Sequence, residues 1–172
     1  FQFNGNTQEK NNPSISFQNP NSGFVDNNTA IRLNNNVQSI VLPFLPQGSA
    51  RRTISMRILF ESGALATDNN VFSYGNATSN GQSYGYTQNS TSTTFYTWGG
   101  LGFDSTFSNP LNFGTYYTMV FVYDSGVTRV YKDGTLIQTI TIPANTIGTT
   151  FRIGRTTTGV GGFFNGRVDD LR

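Results

Sequence analysis

The sequence predicts an all-β domain, a sandwich or a closed barrel, on three observations. Roughly a dozen short apolar and β-branched runs recur about every 8–12 residues, with Gly, Asn, Asp or Pro between them. No window long enough for a helix has helical periodicity, and Ala, Glu, Lys and Leu, the best helix formers, are scarce. Charged residues make up 12% of the chain, about half the usual share. Short uncharged polar side chains replace them, and these favour turns, strand edges and solvated loops. The 172 residues fit one domain, 1–172. A chain of that size buries roughly 70% of its unfolded surface, enough for a core without disulfides.

Taken in order, residues 1–6 alternate apolar and polar and end at a turn, so they read as a strand. Residues 11–26 read as loop with one short strand at 14–17. Strands at 30–33 and 37–43 are joined by an Asn34-Asn35-Asn36 turn, and a loop rich in breakers follows from Pro43 to Gly48. The cleanest strand is 53–61: Ile54, Met56, Ile58 and Phe60 share one face, Ser55, Arg57 and Glu61 the other, with Leu59 the one apolar exception. Shorter strands follow at 71–75, 83–87, 93–98 and 102–103, and 107–114 reads as loop.

The last third is a β-meander written in hairpin chemistry. Strands 117–124, 127–132 and 136–142 are separated by turn residues at 124–126 and 133–134. In the first of them Met119, Phe121 and Tyr123 alternate with Val120 and Val122, so both faces are apolar, as in a strand central to its sheet. Strands 150–154 and 163–172 complete the set. In the closing run Phe164, Gly166 and Val168 share a face, Asp169-Asp170 interrupts the period and Leu171 resumes it, which predicts a β-bulge. Gly166 predicts a close approach by a neighbouring backbone or ring.

Composition excludes several functions. With no Cys and no His, thiolate and imidazole metal sites and every Ser–His or Cys–His catalytic pair are absent. A formal charge of +2 with scattered Arg gives no cationic stripe for nucleic acid. No apolar run approaches the ~18 residues of a membrane span, so membrane insertion is not expected. Glycosidases place two carboxylates across the scissile bond. Here the Glu residues are Glu9 and Glu61 alone, in no acidic strand motif, so no enzyme is expected.

The pieces F-x-F-N-G-N at 1–6, A-I-R-L-N-N-N at 30–36, T-I-S-M at 53–56, V-Y-K-D-G at 130–134, I-G at 153–154 and F-N-G-R-V-D-D-L-R at 164–172 stand in one order along the chain. Together they resemble the laminin-G-like, concanavalin A-like jelly-roll modules of secreted and cell-surface proteins. The resemblance implies an all-β, two-sheet antiparallel β-sandwich and a non-catalytic recognition module, most simply one that binds carbohydrate in a bacterial secreted or surface protein. Its partners would be a polysaccharide or glycoprotein glycan, and other domains of the same longer protein. A structural or adhesive spacer making protein contacts is the alternative. The sequence departs from the family where Trp is common (Arg57 or Tyr117), and Glu9 to Pro13 replaces the usual Asp-x-Ser-Gly-Asn loop.

Sugar sites pair aromatic faces with Asn, Asp, Gln and Arg. The segment Tyr74, Asn76, Tyr84, Tyr86, Tyr96 and Trp98 is rich in both, and residues two apart share a strand face, so it is the expected ligand surface. The competing expectation is that such rings pack in the core. Members of the resembling family often hold a structural calcium at the sandwich edge. Asp169 and Asp170 would supply its carboxylates beside the N-terminal loop, with Asn carbonyls as further oxygens.

Overall fold

The computed structural model describes residues 23–27, 29–34, 38–42, 44–61, 69–89, 91–98, 102–159 and 162–172. Their strands, in chain order, are β1 Phe24–Val25, β2 Ala30–Leu33, β3 Gln38–Val41, β4 Arg52–Phe60, β5 Asn69–Gly75, β6 Ser83–Gln88 and β7 Ser92–Tyr96. There follow β8 Asp104–Ser108, β9 Tyr116–Asp124, β10 Val127–Lys132, β11 Thr135–Thr141, β12 Thr150–Ile153, β13 Gly162–Phe163 and β14 Gly166–Asp169. One sheet runs β1-β2-β14-β4-β9-β10-β11; the other runs β3-β12-β5-β6-β7-β8. Pairing is antiparallel except for β13, which lies parallel to β5.

Period-two alternation builds the core between the sheets. The first sheet turns Ile54, Met56, Ile58, Phe60, Met119, Phe121 and Tyr123 inward. The second answers mainly with rings. Phe121 meets Phe72 edge-on at 5.5 Å, Tyr86 at 4.9 Å and Phe95 at 6.5 Å between centroids. Phe72 stacks on Phe151 at 5.8 Å. A chain poor in Leu and Ala thus fills its interior with large aromatic side chains.

The turn chemistry forms as its residues predict. Between β9 and β10, Ser125 and Gly126 have φ of 50° and 84°; between β10 and β11, Asp133 and Gly134 have 49° and 79°. Two successive left-handed residues make the two-residue hairpin turn that matches strand twist. The bulge in the closing run is present too. Asp169 opposes Arg57 while Arg172 exchanges backbone hydrogen bonds with Ser55, so the closing strand spends one extra residue there, with Asp170 at φ 49°. At Gly166 a methyl group would overlap the Leu59 carbonyl and the Phe164 ring, the close approach that glycine predicts.

Three readings need correction. Residues 163–172 are two strands in different sheets, because Phe164 leaves the β13 line to bury its ring on Phe60, 4.9 Å away and perpendicular. Asp104–Ser108 is an edge strand where the sequence suggests a strand only at 102–103 and a loop from 107. Its Ser, Thr and Asp carry no apolar alternation, and pairing with β7 supplies what local propensity does not. Phe24–Val25 pairs with β2 inside a segment read as loop. The strands expected at 1–6 and 14–17 lie outside the described residues.

Candidate functional site

The expected aromatic surface divides between the two faces of the second sheet. Tyr74, Tyr84 and Tyr86 are 0% exposed and belong to the core. The residues two apart do share a face, but it is the face turned to the first sheet. Tyr84 meets Phe95 edge-on at 4.9 Å, and the Tyr86 hydroxyl donates to Gln88 Oε1 at 2.8 Å. Burial pushes the Tyr84 and Tyr86 phenols far above their ordinary range and Tyr74 up to about 12, the last in spite of the Arg52 guanidinium beside it. These three rings cannot present a face to a ligand.

Arg52 explains what holds Tyr74. It is 6% exposed and has no carboxylate partner among the described residues. Its guanidinium donates to the Ala50 and Gly48 carbonyls, to the Tyr74 hydroxyl at 2.6 Å and to Thr146 Oγ1 at 2.7 Å. It also lies 5.0–5.7 Å from the ring centroids of Tyr74, Tyr84 and Tyr123. This is a structural cation that clamps one end of the core.

Asn76 is also structural in its contacts. Its Oδ1 accepts from the backbone and hydroxyl of Thr78, and its amide donates to Ser79 Oγ and Gln82 Oε1, closing the β5–β6 turn.

Tyr96 and Trp98 lie elsewhere. Register places Arg152, Ser73, Gly85, Tyr96 and Asp104 in one row across β12, β5, β6, β7 and β8. Their strand neighbours Phe151, Phe72, Tyr84 and Phe95 face the core, so this row faces outward. The Tyr96 ring lies flat over Gly85, where a methyl group would overlap it, and its hydroxyl reaches Asn70 Oδ1 at 3.3 Å. Half-buried Trp98, in a left-handed backbone conformation, sets its ring edge-on to Tyr96 at 6.2 Å. Ser73, 0% exposed, and Gly85, buried under the Tyr96 ring, leave room for larger side chains in this row, so its half-buried groups are the Arg152 guanidinium on one side and Trp98 on the other.

The neighbouring row, Asn70, Thr87, Thr94 and Thr106, is polar. Asn70 donates to the Gly162 carbonyl at 3.1 Å, which ties β13 to the rim of this face. Among the described residues, the buried polar atoms in or beside this face with no hydrogen-bond partner include Thr87 Oγ1, Arg152 Nε, Arg155 Nε and Thr157 Oγ1. Buried donors and acceptors are normally satisfied, so these atoms stand out from the rest of the described structure. The sequence analysis missed Arg152, Ser73, Gly85 and Thr87. The available signal was their position between ring-bearing or apolar neighbours, since a small or polar residue between two core residues on a strand must face outward.

The outer face of the first sheet is a self-contained ionic network. Glu61 accepts from Arg32 at 2.8 Å and from Arg167 at 2.9 Å, and Arg167 reaches Asp26 at 2.5 Å. Asp26 also takes a short hydrogen bond from the Tyr116 hydroxyl, and Arg57 stacks on the Tyr116 ring at 4.2 Å. Asp169 lies 3.7 Å from Arg57, and Asp170 pairs with Arg172 at 3.0 Å. Burial first, and then the charges of Asp170 and Asp26, push the Asp169 carboxyl up, opposed by the Asp170 backbone N–H and Arg57. A calcium ion takes six to eight oxygens. Asp169 and Asp170 supply two carboxylates that already face arginines, and among the described residues no set of three acidic side chains is close enough to hold a metal. The N-terminal loop expected to complete the set lies outside the described residues.

A family profile, the Concanavalin A-like lectin/glucanases superfamily, matches residues 26–172. A search of the curated proteins gives no match. Among solved structures, domain 4 of an extracellular arabinanase from Geobacillus stearothermophilus, in complex with arabinotriose, aligns with a TM-score of 0.61 at 18% identity, over 97% of this chain and 79% of that one. Mouse laminin alpha1 chain domains LG4-5 align at 0.63 and 12% identity, over 90% of this chain and 43% of that one. A sialidase from Streptococcus pneumoniae aligns at 0.61 and 18% identity, over 83% of this chain but 25% of its own. At these identities the likeness is one of fold. Joined to the two-sheet architecture, the profile match means that the chain belongs to the concanavalin A-like lectin/glucanase superfamily.

Proposed function

We propose that the domain is a non-catalytic recognition module of a secreted or cell-surface protein, and that it binds carbohydrate on the outer face of its second sheet. The observation that carries this reading is the outward row from Arg152 through Ser73 and Gly85 to Tyr96. Buried Ser73 and Gly85 let a half-buried guanidinium, Arg152, and a half-buried indole, Trp98, flank this row, with unsatisfied polar atoms at Thr87, Arg152, Arg155 and Thr157. Sugars present C–H faces to rings and hydroxyls to polar groups, and this face offers both. The arabinotriose complex of the similarly folded arabinanase domain adds support. Hydrolysis is not part of the reading: Glu61 is held between two arginines on the opposite sheet. Calcium enters as a stabiliser of the fold at Asp169 and Asp170, away from the sugar face. Equal melting temperatures in EDTA and in millimolar calcium would remove it.

The test is a glycan array probed with the domain and with Trp98→Ala. We expect a specific hit, weakened about tenfold or more in W98A. A hit that a folded W98A retains at full strength moves the site off this face. The burial of Tyr74, Tyr84, Tyr86 and Tyr96 favours a second reading, an adhesive or structural spacer with protein contacts. No hit on the array would select it.

A further inference from the structure

We propose that the ligand of this face carries an anionic group, a carboxylate or a sulfate, and that Arg152 and Arg155 read it. The proposal rests on the outer face of the second sheet being the binding face. The chain has nine Arg. Five of them, at 32, 51, 57, 167 and 172, are ion-paired with carboxylates. Arg52 is enclosed by neutral acceptors and rings. Arg129 is exposed on the first sheet, where its charge acts on Asp124, and Arg152 and Arg155, on the second sheet, have neither arrangement. No carboxylate among the described residues pairs with them, and the Nε of each is closed off from water without an acceptor.

Their surroundings favour a shared anion. Arg152 Nη1 donates to the Thr156 carbonyl at 3.1 Å, which fixes that guanidinium, and Arg155 stacks on the Phe163 ring at 4.3 Å, which fixes the other. A methyl group placed at Gly159 would lie 3.9 Å from Nη1 of both, so the two cations flank one residue without a side chain. Planar guanidinium forks match carboxylate and sulfate oxygens, and preorganisation reduces what is lost on binding. Asp104 occupies the far end of the same row, four strands from Arg152 or about 19 Å, too far to neutralise it. The face therefore pairs an aromatic end, at half-buried Trp98, with a cationic end, at half-buried Arg152 and Arg155.

The experiment is titration of the 172-residue chain with two matched pairs of polymers: polygalacturonate against its methyl ester, and dextran sulfate against dextran. The first pair reports a carboxylate and the second a sulfate. We expect at least one acidic polymer to bind more tightly than its neutral twin, with Arg155→Gln weakening that binding about 10–100-fold. Arg152→Gln should weaken it similarly, and Arg152→Lys less, with melting curves recorded for each. If R152Q does not fold, R155Q decides, because its side chain makes no hydrogen bond that holds a strand. Arg129→Gln, an exposed arginine of the first sheet, should leave binding unchanged. Equal binding of a neutral twin overturns the charge assignment and leaves the carbohydrate reading intact. Failure of both acidic polymers to bind overturns it as well, while array hits confined to neutral sugars would still support that reading. An R129Q loss equal to that of R155Q overturns it in favour of bulk charge.

Discussion

Glu61 shows how a single side chain is decided by its neighbours. On the strand pattern it is simply a polar outward residue, and on composition it is one of two Glu, in no acidic strand motif. In the fold, burial alone would raise its carboxyl, but hydrogen bonds from Arg32 and Arg167 outweigh that and hold it below the usual range. A carboxyl depressed in the folded state contributes stability that is fully present above its unfolded value, near about 4.3. That contribution is lost as pH falls through the folded value. The melting temperature should therefore fall on acidification below about pH 4.5, and less steeply in Glu61→Gln. Asp169 titrates in the opposite sense because its carboxyl is pushed up, so the comparison is wild type against E61Q over one pH series. Parallel melting curves for the two proteins would refute the role given to Glu61.

At the scale of elements, β6 and β7 show why the site was partly hidden. Alternation correctly puts Tyr84 and Tyr86 on one face and Gly85 on the other, but alternation has no sign. Which face meets the first sheet is decided by Phe121 and Tyr123 arriving from β9. Gly85 then becomes a bed for Tyr96, because nothing but hydrogen separates β6 from the ring. Gly85→Ala should force that ring to move and destabilise the domain by about 1–3 kcal/mol. In a Tyr96→Ala background the same change should cost much less, which a double-mutant cycle of denaturation midpoints measures. Equal costs in both backgrounds would mean that Tyr96 is not what fills the space above Gly85. The β9–β10 and β10–β11 hairpins and the bulge at Asp170 were legible for the reverse reason. Their chemistry is local, in residues that accept left-handed backbone.

Across the whole molecule, tyrosine replaces aliphatic bulk in the core, and this has a consequence at high pH. Tyr74, Tyr84 and Tyr86 are raised by burial, Tyr74 to about 12. Groups raised in the folded state contribute stability that is complete below their unfolded value, about 10 for tyrosine. It is lost as pH rises through the folded values. Phenolate absorbance from these three rings should appear only together with loss of the fold, above about pH 10, whereas exposed tyrosines ionise while the domain is intact. A full tyrosine titration that precedes unfolding would show that these rings are not buried in solution.

The sequence by itself determined the all-β class, the turn positions, the cleanest strand at 53–61, the bulge and the close approach at Gly166. Each of these depends on a residue and its immediate neighbours. Only the tertiary structure decided which faces are inside, that residues 163–172 split between two sheets, and that Ser, Thr and Asp at 104–108 form an edge strand. It also moved the candidate site from the tyrosines to Arg152, Ser73, Gly85 and Thr87. Those residues come from β12, β5 and β6, and their alignment in adjoining outward rows depends on strand register, which long-range pairing sets and local composition does not.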